Sequence, residues 1–135
     1  MLSIIVPVYN EENTIGAVLE KLFGLNIDKE IIVINDGSTD NTGVNIEKTI
    51  RSVQGIKCIN LEKNSGKGNA ICEGIKAAQG DIVAIQDADL EYNPRDLVVL
   101  AGILKRTVAD VVYGTRFNSN FQTPFWQSLE VMKHR

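Results

Sequence analysis

Five short apolar runs punctuate the chain, at residues 3–8 (SIIVPV), 30–35 (EIIVIN), 56–61 (IKCINL), 82–85 (IVAI) and 110–113 (DVVY). Runs this short with little polar alternation predict strands, and the most apolar of them read as buried on both faces, as inside a parallel sheet. Between them the apolar period changes. Ile15, Val18, Leu19, Leu22 and Phe23 recur at helical spacing, as do Ile46, Ile50 and Val53, then Ile71, Ile75 and Ala78, then Leu97, Leu100, Ala101 and Leu104. Each set predicts an amphipathic helix. Glu11 and Glu12 are expected in the first turn of the first helix, where carboxylates favour the positive helix end. Gly24, Gly55 and Gly80 supply the stops, and Asn93-Pro94 opens the fourth helix as cap and first residue. The order βαβαβαβαβ with short connections predicts an α/β fold: a doubly wound, mostly parallel sheet with helices on both faces. Pro7 gives no hydrogen bond to a ladder, so the sheet is expected to give way near it. Residues 118–135 break the pattern, so the expected core is 1–117, with 118–135 the start of a further region cut short.

In a parallel sheet the carboxyl ends of all strands share one edge, where open α/β sheets bind ligands. Reading only those ends collects Tyr9, Glu11, Asp36, the loop Lys63-Asn-Ser-Gly-Lys67, Asp87, Asp89 and Arg116. Asp87 and Asp89 close the most apolar run. Hard oxygen ligands at that place suit Mg²⁺ or Mn²⁺ bridging a diphosphate, although Asp is also a common turn former. Lys67 is a mobile cation suited to phosphate beside backbone N–H groups at a helix start, or else a solvated loop lysine. The regularity of these strand ends, more than any single motif, points to a functional site.

Two nucleotide-binding signatures fail here. Gly66-Lys-Gly68 is followed by Asn69, Ala70 and Ile71, so the G-x-G-x-x-G pattern is not met. A Walker A motif needs Gly at position 61 and Ser or Thr at 68, where the chain has Leu61 and Gly68. The net charge of −3 leaves no basic footprint, which argues against nucleic acid as a partner. An anion site must then be built locally. With 44% hydrophobic and 23% charged residues the composition is that of a soluble globular domain. No run approaches the roughly 18 apolar residues of a membrane span, and residues 1–10 lack the basic start of a secretory signal. Cys58 and Cys72, expected in a strand and a helix without C-x-x-C spacing, read as two buried reduced thiols. The expected location is cytoplasmic.

Five ordered motifs make the reading specific: Val6-Pro-Val-Tyr-Asn-Glu11, Val33-Ile-Asn-Asp-Gly-Ser-Thr-Asp40, Asn64-Ser-Gly-Lys-Gly68, Asp87-Ala-Asp89 and Gly114-Thr-Arg-Phe117. In order and spacing, across residues 3–117, the chain resembles family-2 glycosyltransferases of the GT-A fold, closest to the polyprenyl-phosphate (dolichol-phosphate mannosyltransferase-like) branch. The resemblance implies an inverting transfer of sugar from a UDP- or GDP-linked donor to an acceptor, most simply a polyprenyl phosphate. It implies that Pro7, Tyr9 and Glu11 line the nucleoside pocket and that Asp36 bonds the base or ribose. By the same resemblance Lys67 lies near the diphosphate, and Asp87 and Asp89 hold ribose and Mg²⁺ or Mn²⁺. Arg116 would approach the phosphates or the acceptor, with Lys133 and Arg135 as further cations. Asn35 stands where many members have a second Asp. The family's acceptor region, and through it any peripheral membrane association, would lie beyond Arg135. A glycan hydroxyl acceptor, a nucleotide-sugar-binding module without activity, and a sugar-phosphate nucleotidylyltransferase remain alternatives. The last of these would carry its glycine-rich signature just after the first strand, where this chain has Pro-Val-Tyr-Asn-Glu.

Overall fold

The structure is a computed structural model and describes residues 1–53, 55–115 and 128–134. Four helices and six strands are described: β1 (Leu2–Val8), α1 (Ile15–Phe23), β2 (Lys29–Asn35), α2 (Thr42–Ser52), β3 (Ile56–Asn60), α3 (Lys67–Ala77), β4 (Ile82–Ile85), α4 (Arg95–Arg106), β5 (Val111–Thr115) and β6 (Ser128–Lys133). The strands form one sheet in the order β3-β2-β1-β4-β6-β5. β1 is central and pairs in parallel with β2 and with β4, and β2 pairs in parallel with β3.

Period-two alternation along the strands explains the layers. Leu2, Ile4, Val6 and Val8 face one core, shared with Ile15, Val18, Leu19 and Leu22 of α1, Ile46 of α2 and Leu97 and Leu104 of α4. Ile5, Ile32, Ile34 and Val83 face the other side, where Ala70 of α3 packs. Both faces are covered, which is why β1 and β4 read as unbroken apolar runs. On the α3 side the approach is very close: a Cβ on Gly74 would lie 2.4 Å from the Ile5 side chain. The doubly wound α/β expectation holds.

Three local differences have physical reasons. Residues 128–133 form a strand, β6, inserted antiparallel between β4 and β5, so the sheet extends past residue 117. The mixed composition SLEVMK hides it, although Leu129 and Val131 alternate with Ser128 and Glu130 and Val131 is fully buried. α1 begins at Ile15, so Glu11 and Glu12 sit in a preceding turn rather than in the helix. There the Glu11 carbonyl accepts the Thr14 and Ile15 N–H groups. Cys72 is exposed, not buried; Cys58 is half-buried, and desolvation, with the nearby charge of Glu47, pushes its thiol up to about 11. Both thiols are free.

β1 and β4 part company at their carboxyl ends. Ile5 is the last β1 residue in register with β4, opposite Ile85, and the Gln86 N–H donates to the Ile5 carbonyl. Even-numbered β1 residues bond toward β2, as the Asp36 N–H to Val8 carbonyl bond shows, and odd-numbered ones toward β4. Pro7 is odd-numbered and falls where β4 has already turned away. The sheet order reverses at this same place, between β1 and β4, which makes it the topological switch point.

Candidate functional site

A cleft of about 320 Å³ opens at that switch point, lined by Pro7, Val8, Tyr9, Glu11, Asp36, Asn64, Lys67, Ala70, Asp87, Ala88 and Asp89. Its volume lies in the range of small-molecule sites. Pro7, Tyr9, Glu11, Asp36, Lys67, Asp87 and Asp89, scattered over more than eighty positions of sequence, therefore meet at one place. Arg116 and Arg135 lie outside the described residues. Lys133 does not reach this edge. The antiparallel register sets it opposite Ile82 at the amino end of β4, so its expected role as a cation at the site is corrected. The His134 N–H donates to the Asp81 carbonyl, at that same amino end.

Two of the loops at the cleft, those after β2 and β3, are fastened to each other. Asp36, 3% exposed, accepts the Ser65 N–H on Oδ1 at 2.9 Å and the Gly66 N–H on Oδ2 at 2.8 Å. This carboxylate holds the glycine-rich loop in place, using one lone pair of each oxygen. Gly37 lets the loops touch. Its φ is +67°, and a Cβ there would lie 2.6 Å from backbone atoms of Lys63 and Asn64. Gly66, at φ +92°, turns the chain into α3 and points Lys67 across the cleft. Lys67 Nζ reaches Asp87 Oδ1 at 2.6 Å.

A second set of bonds joins the loop after β1 to the loop after β2. The Asn10 N–H donates to Ser38 Oγ and the Thr39 N–H to Asn10 Oδ1. The Glu11 N–H donates to Thr42 Oγ1, the Glu12 N–H to Asp40 Oδ2, and the Asn41 N–H to Glu12 Oε2. Asn10 takes φ +53°, a conformation Asn tolerates better than most residues. Desolvation pushes the Asp40 carboxyl up, but bonds from the Thr42 hydroxyl and N–H and from the Glu12 N–H outweigh it and hold the group below the usual carboxylate range. Apart from Glu11, these polar residues were not singled out from the sequence as site residues. The density of Asn, Ser, Thr and Asp in both loops was the available signal, and their mutual approach was not. Asn64 was also missed as a lining residue; its side chain accepts the Gly66 N–H at 3.0 Å, a contact its place in the glycine-rich loop could have suggested.

The acids at the end of β4 differ from Asp36. Asp89 is exposed, and its Oδ1 accepts the Glu91 N–H at 3.0 Å. Asp87 is partly buried, its side chain 29% exposed, and meets Lys67. Among the described residues no group of three or more His, Cys, Asp or Glu side chains could hold a metal ion. Two neighbouring carboxylates of hard oxygen donors therefore fit Mg²⁺ or Mn²⁺ as part of a shell completed by water and substrate phosphate, not as an all-protein cage. Beyond them the register sets Glu130 of β6 opposite Ile85, at the same end of the sheet. A separate groove of about 630 Å³, between α1 and the start of α4, contains none of the predicted site residues. Among the described residues no helix is long and apolar enough to cross a membrane.

Known proteins resemble this chain in sequence and in fold. The chain is 34% identical over 122 residues to a dodecaprenyl-phosphate galacturonate synthase from Rhizobium johnstonii, a match covering 87% of the chain and 36% of that protein. It is 30% identical over 129 residues to a dolichol-phosphate mannosyltransferase from Pyrococcus furiosus, covering 93% of the chain and 36% of the relative. The chain thus spans little more than a third of either relative. Among solved structures, Staphylococcus aureus TarS in complex with UDP-GlcNAc superposes with a TM-score of 0.75 at 26% identity, over 98% of this chain and 45% of that one. The mannosyltransferase PcManGT of Pyrobaculum calidifontis, in complex with GDP-Man and Mn²⁺, superposes at 0.83 with 21% identity, over 98% and 44%, a likeness of fold. The α/β sheet with its split at β1 and β4 is accordingly of the GT-A type. The profile of the family described as Glycosyl transferase family 2 matches residues 3–134, and the chain belongs to that family.

Proposed function

We propose that this chain is the donor-binding part of an inverting glycosyltransferase that moves a sugar from a nucleotide-diphosphate sugar to a polyprenyl phosphate. One observation carries the reading: seven residues from four strand-end segments line one cleft, among them a cation, two carboxylates at the end of β4 and an exposed aromatic, Tyr9. That set suits a nucleoside at Pro7, Tyr9, Glu11 and Asp36 and a diphosphate at Lys67, Asp87 and Asp89. The relatives named for dodecaprenyl phosphate and dolichol phosphate support the acceptor class, and the neighbours in complex with GDP-Man or UDP-GlcNAc support the donor class.

As the sugar leaves its nucleotide, negative charge grows on the departing diphosphate. Asp87 and Asp89 would hold Mg²⁺ or Mn²⁺, which supplies charge neutralisation to that leaving group when bound. Lys67 adds a mobile positive charge from the other wall of the cleft. The buried Asp36 keeps the Lys67 loop in position throughout. A phosphate monoester acceptor is already largely ionised near neutral pH and attacks without a protein base. Arg116, outside the described residues, is proposed to serve that acceptor, at the cytoplasmic face of a membrane. One observation favours a second reading, transfer to a glycan hydroxyl, which needs a base: half-buried Glu130 stands at the carboxyl end of β4.

Calorimetric titration with UDP and GDP, with and without Mn²⁺, tests the donor site. Binding that requires Mn²⁺ is expected for one of them, with Asp89→Ala abolishing it while the unfolding transition stays unchanged. Equal affinity in the variant removes the metal role of Asp89.

A further inference from the structure

The three aspartates of the cleft differ in the group that satisfies each. Asp36 is satisfied by backbone and Asp89 by the Glu91 N–H, neither of which can leave without unfolding a turn. Among the described residues Asp87 alone of the three has a side-chain partner, a lysine ammonium on a flexible stem 2.6 Å away. The Lys67 side chain is 57% exposed, so it can swing out without breaking a core. Its backbone cannot follow, because Asp36 pins Ser65 and Gly66 immediately before it and α3 continues after it.

We propose that Lys67 is a resident counter-ion for Asp87, an internal stand-in that keeps divalent cations off the carboxylate pair until a diphosphate draws the lysine away. This deepens the donor-site reading above and rests on it. With Lys67 in place the Asp87–Asp89 pair carries a net charge near −1, too little to strip a strongly hydrated divalent ion of its water. An arriving diphosphate offers Lys67 a stronger, charge-assisted partner. Asp87 is released as the phosphate oxygens arrive, so the carboxylates and the remaining ligands of the cation appear together. Metal and nucleotide then bind with positive coupling, and by linkage each raises the affinity of the other by the same factor. A carboxylate pair without such a lysine would collect free metal on its own.

The test measures Mn²⁺ alone, by the loss of the free-ion paramagnetic resonance signal, before any nucleotide is added. Wild type is expected to bind Mn²⁺ weakly. Lys67→Met, which keeps the length of the side chain, should tighten binding of Mn²⁺ alone by about fivefold, the upper end of what a partly exposed ion pair holds back. The same variant should bind UDP or GDP in Mn²⁺ about tenfold more weakly, having lost a charged donor to phosphate. Adding Asp87→Asn should cancel the gain in Mn²⁺ affinity. If Lys67→Met binds Mn²⁺ alone no more tightly than wild type, the counter-ion role is overturned. That failure is distinct from failure of the donor-site reading, in which wild type shows no Mn²⁺-dependent nucleotide binding at all.

Discussion

The two edges of the sheet use the same residue types for opposite ends. At the amino edge Glu30 Oε1 accepts the Ser3 hydroxyl, the Gln79 N–H and the Gly80 N–H, and the Gly80 N–H also reaches Ser3 Oγ. The Met1 amino group lies 3.0 Å from Asp81, and His134 closes over Gly80 and Asp81. At the carboxyl edge Asp36 and Asp40 are treated in this way. Asp87 and Asp89 keep open coordination sites and stand in a cleft. A carboxylate bonded to several backbone donors is a structural tie, whereas one bonded to a single swinging lysine is available for exchange. The kind of partner, more than burial or charge, separates fold from site in this molecule.

The largest effect on that contrast is expected from Gly37→Ala. A side chain there combines a left-handed backbone with overlap against Lys63 and Asn64, and the cost should be on the order of 3 kcal/mol, read by denaturant unfolding. Nucleotide affinity should fall as well, because the Lys67 loop is displaced. Normal affinity in a stably folded variant would show that the two loops need not touch. Glu30→Gln comes next. Replacing an acceptor of three donors by an amide should cost about 1–2 kcal/mol in the same experiment while calorimetric binding of nucleotide stays intact. Lost binding would mean that the amino edge is coupled to the cleft.

The smallest effect concerns acid. The Asp40 carboxyl titrates below its ordinary value in the folded chain, so its contribution is present above the unfolded value near 4 and is lost as pH falls through the folded one. Asp40→Asn should lower stability slightly at neutrality and flatten the acid limb below about pH 4, so that the two stability curves converge in acid. An unaltered acid limb would mean that the clasp between the loops after β1 and β2 does not depend on this charge.

Much of the cleft was legible in the chain because parallel α/β topology converts strand ends into neighbours. Tyr9, Asp36, Lys67 and Asp87 needed no contact map, only the five apolar runs that place them at one edge. What stayed hidden depends on loops approaching loops. Asp36 was expected to meet a ligand, and nothing in its sequence context indicates that both its oxygens also hold the amides of Ser65 and Gly66. Residues 128–133 were hidden for another reason. A strand between two others is recognised by burial on both faces, and only Val131 among its described side chains is fully buried. With β6 unseen, Lys133 looked like a free terminal cation, when the register carries it to the far end of the sheet.

Pro7 has a consequence of its own. Any other residue at that position would present an N–H toward the space that β4 vacates, and such a donor would invite the loop after Ile85 to zip back onto β1. An imino acid forbids that closure, so the opening survives when nothing fills it. The binding slot is therefore held apart by a chemical silence in the backbone, and needs no incoming molecule to pry it open.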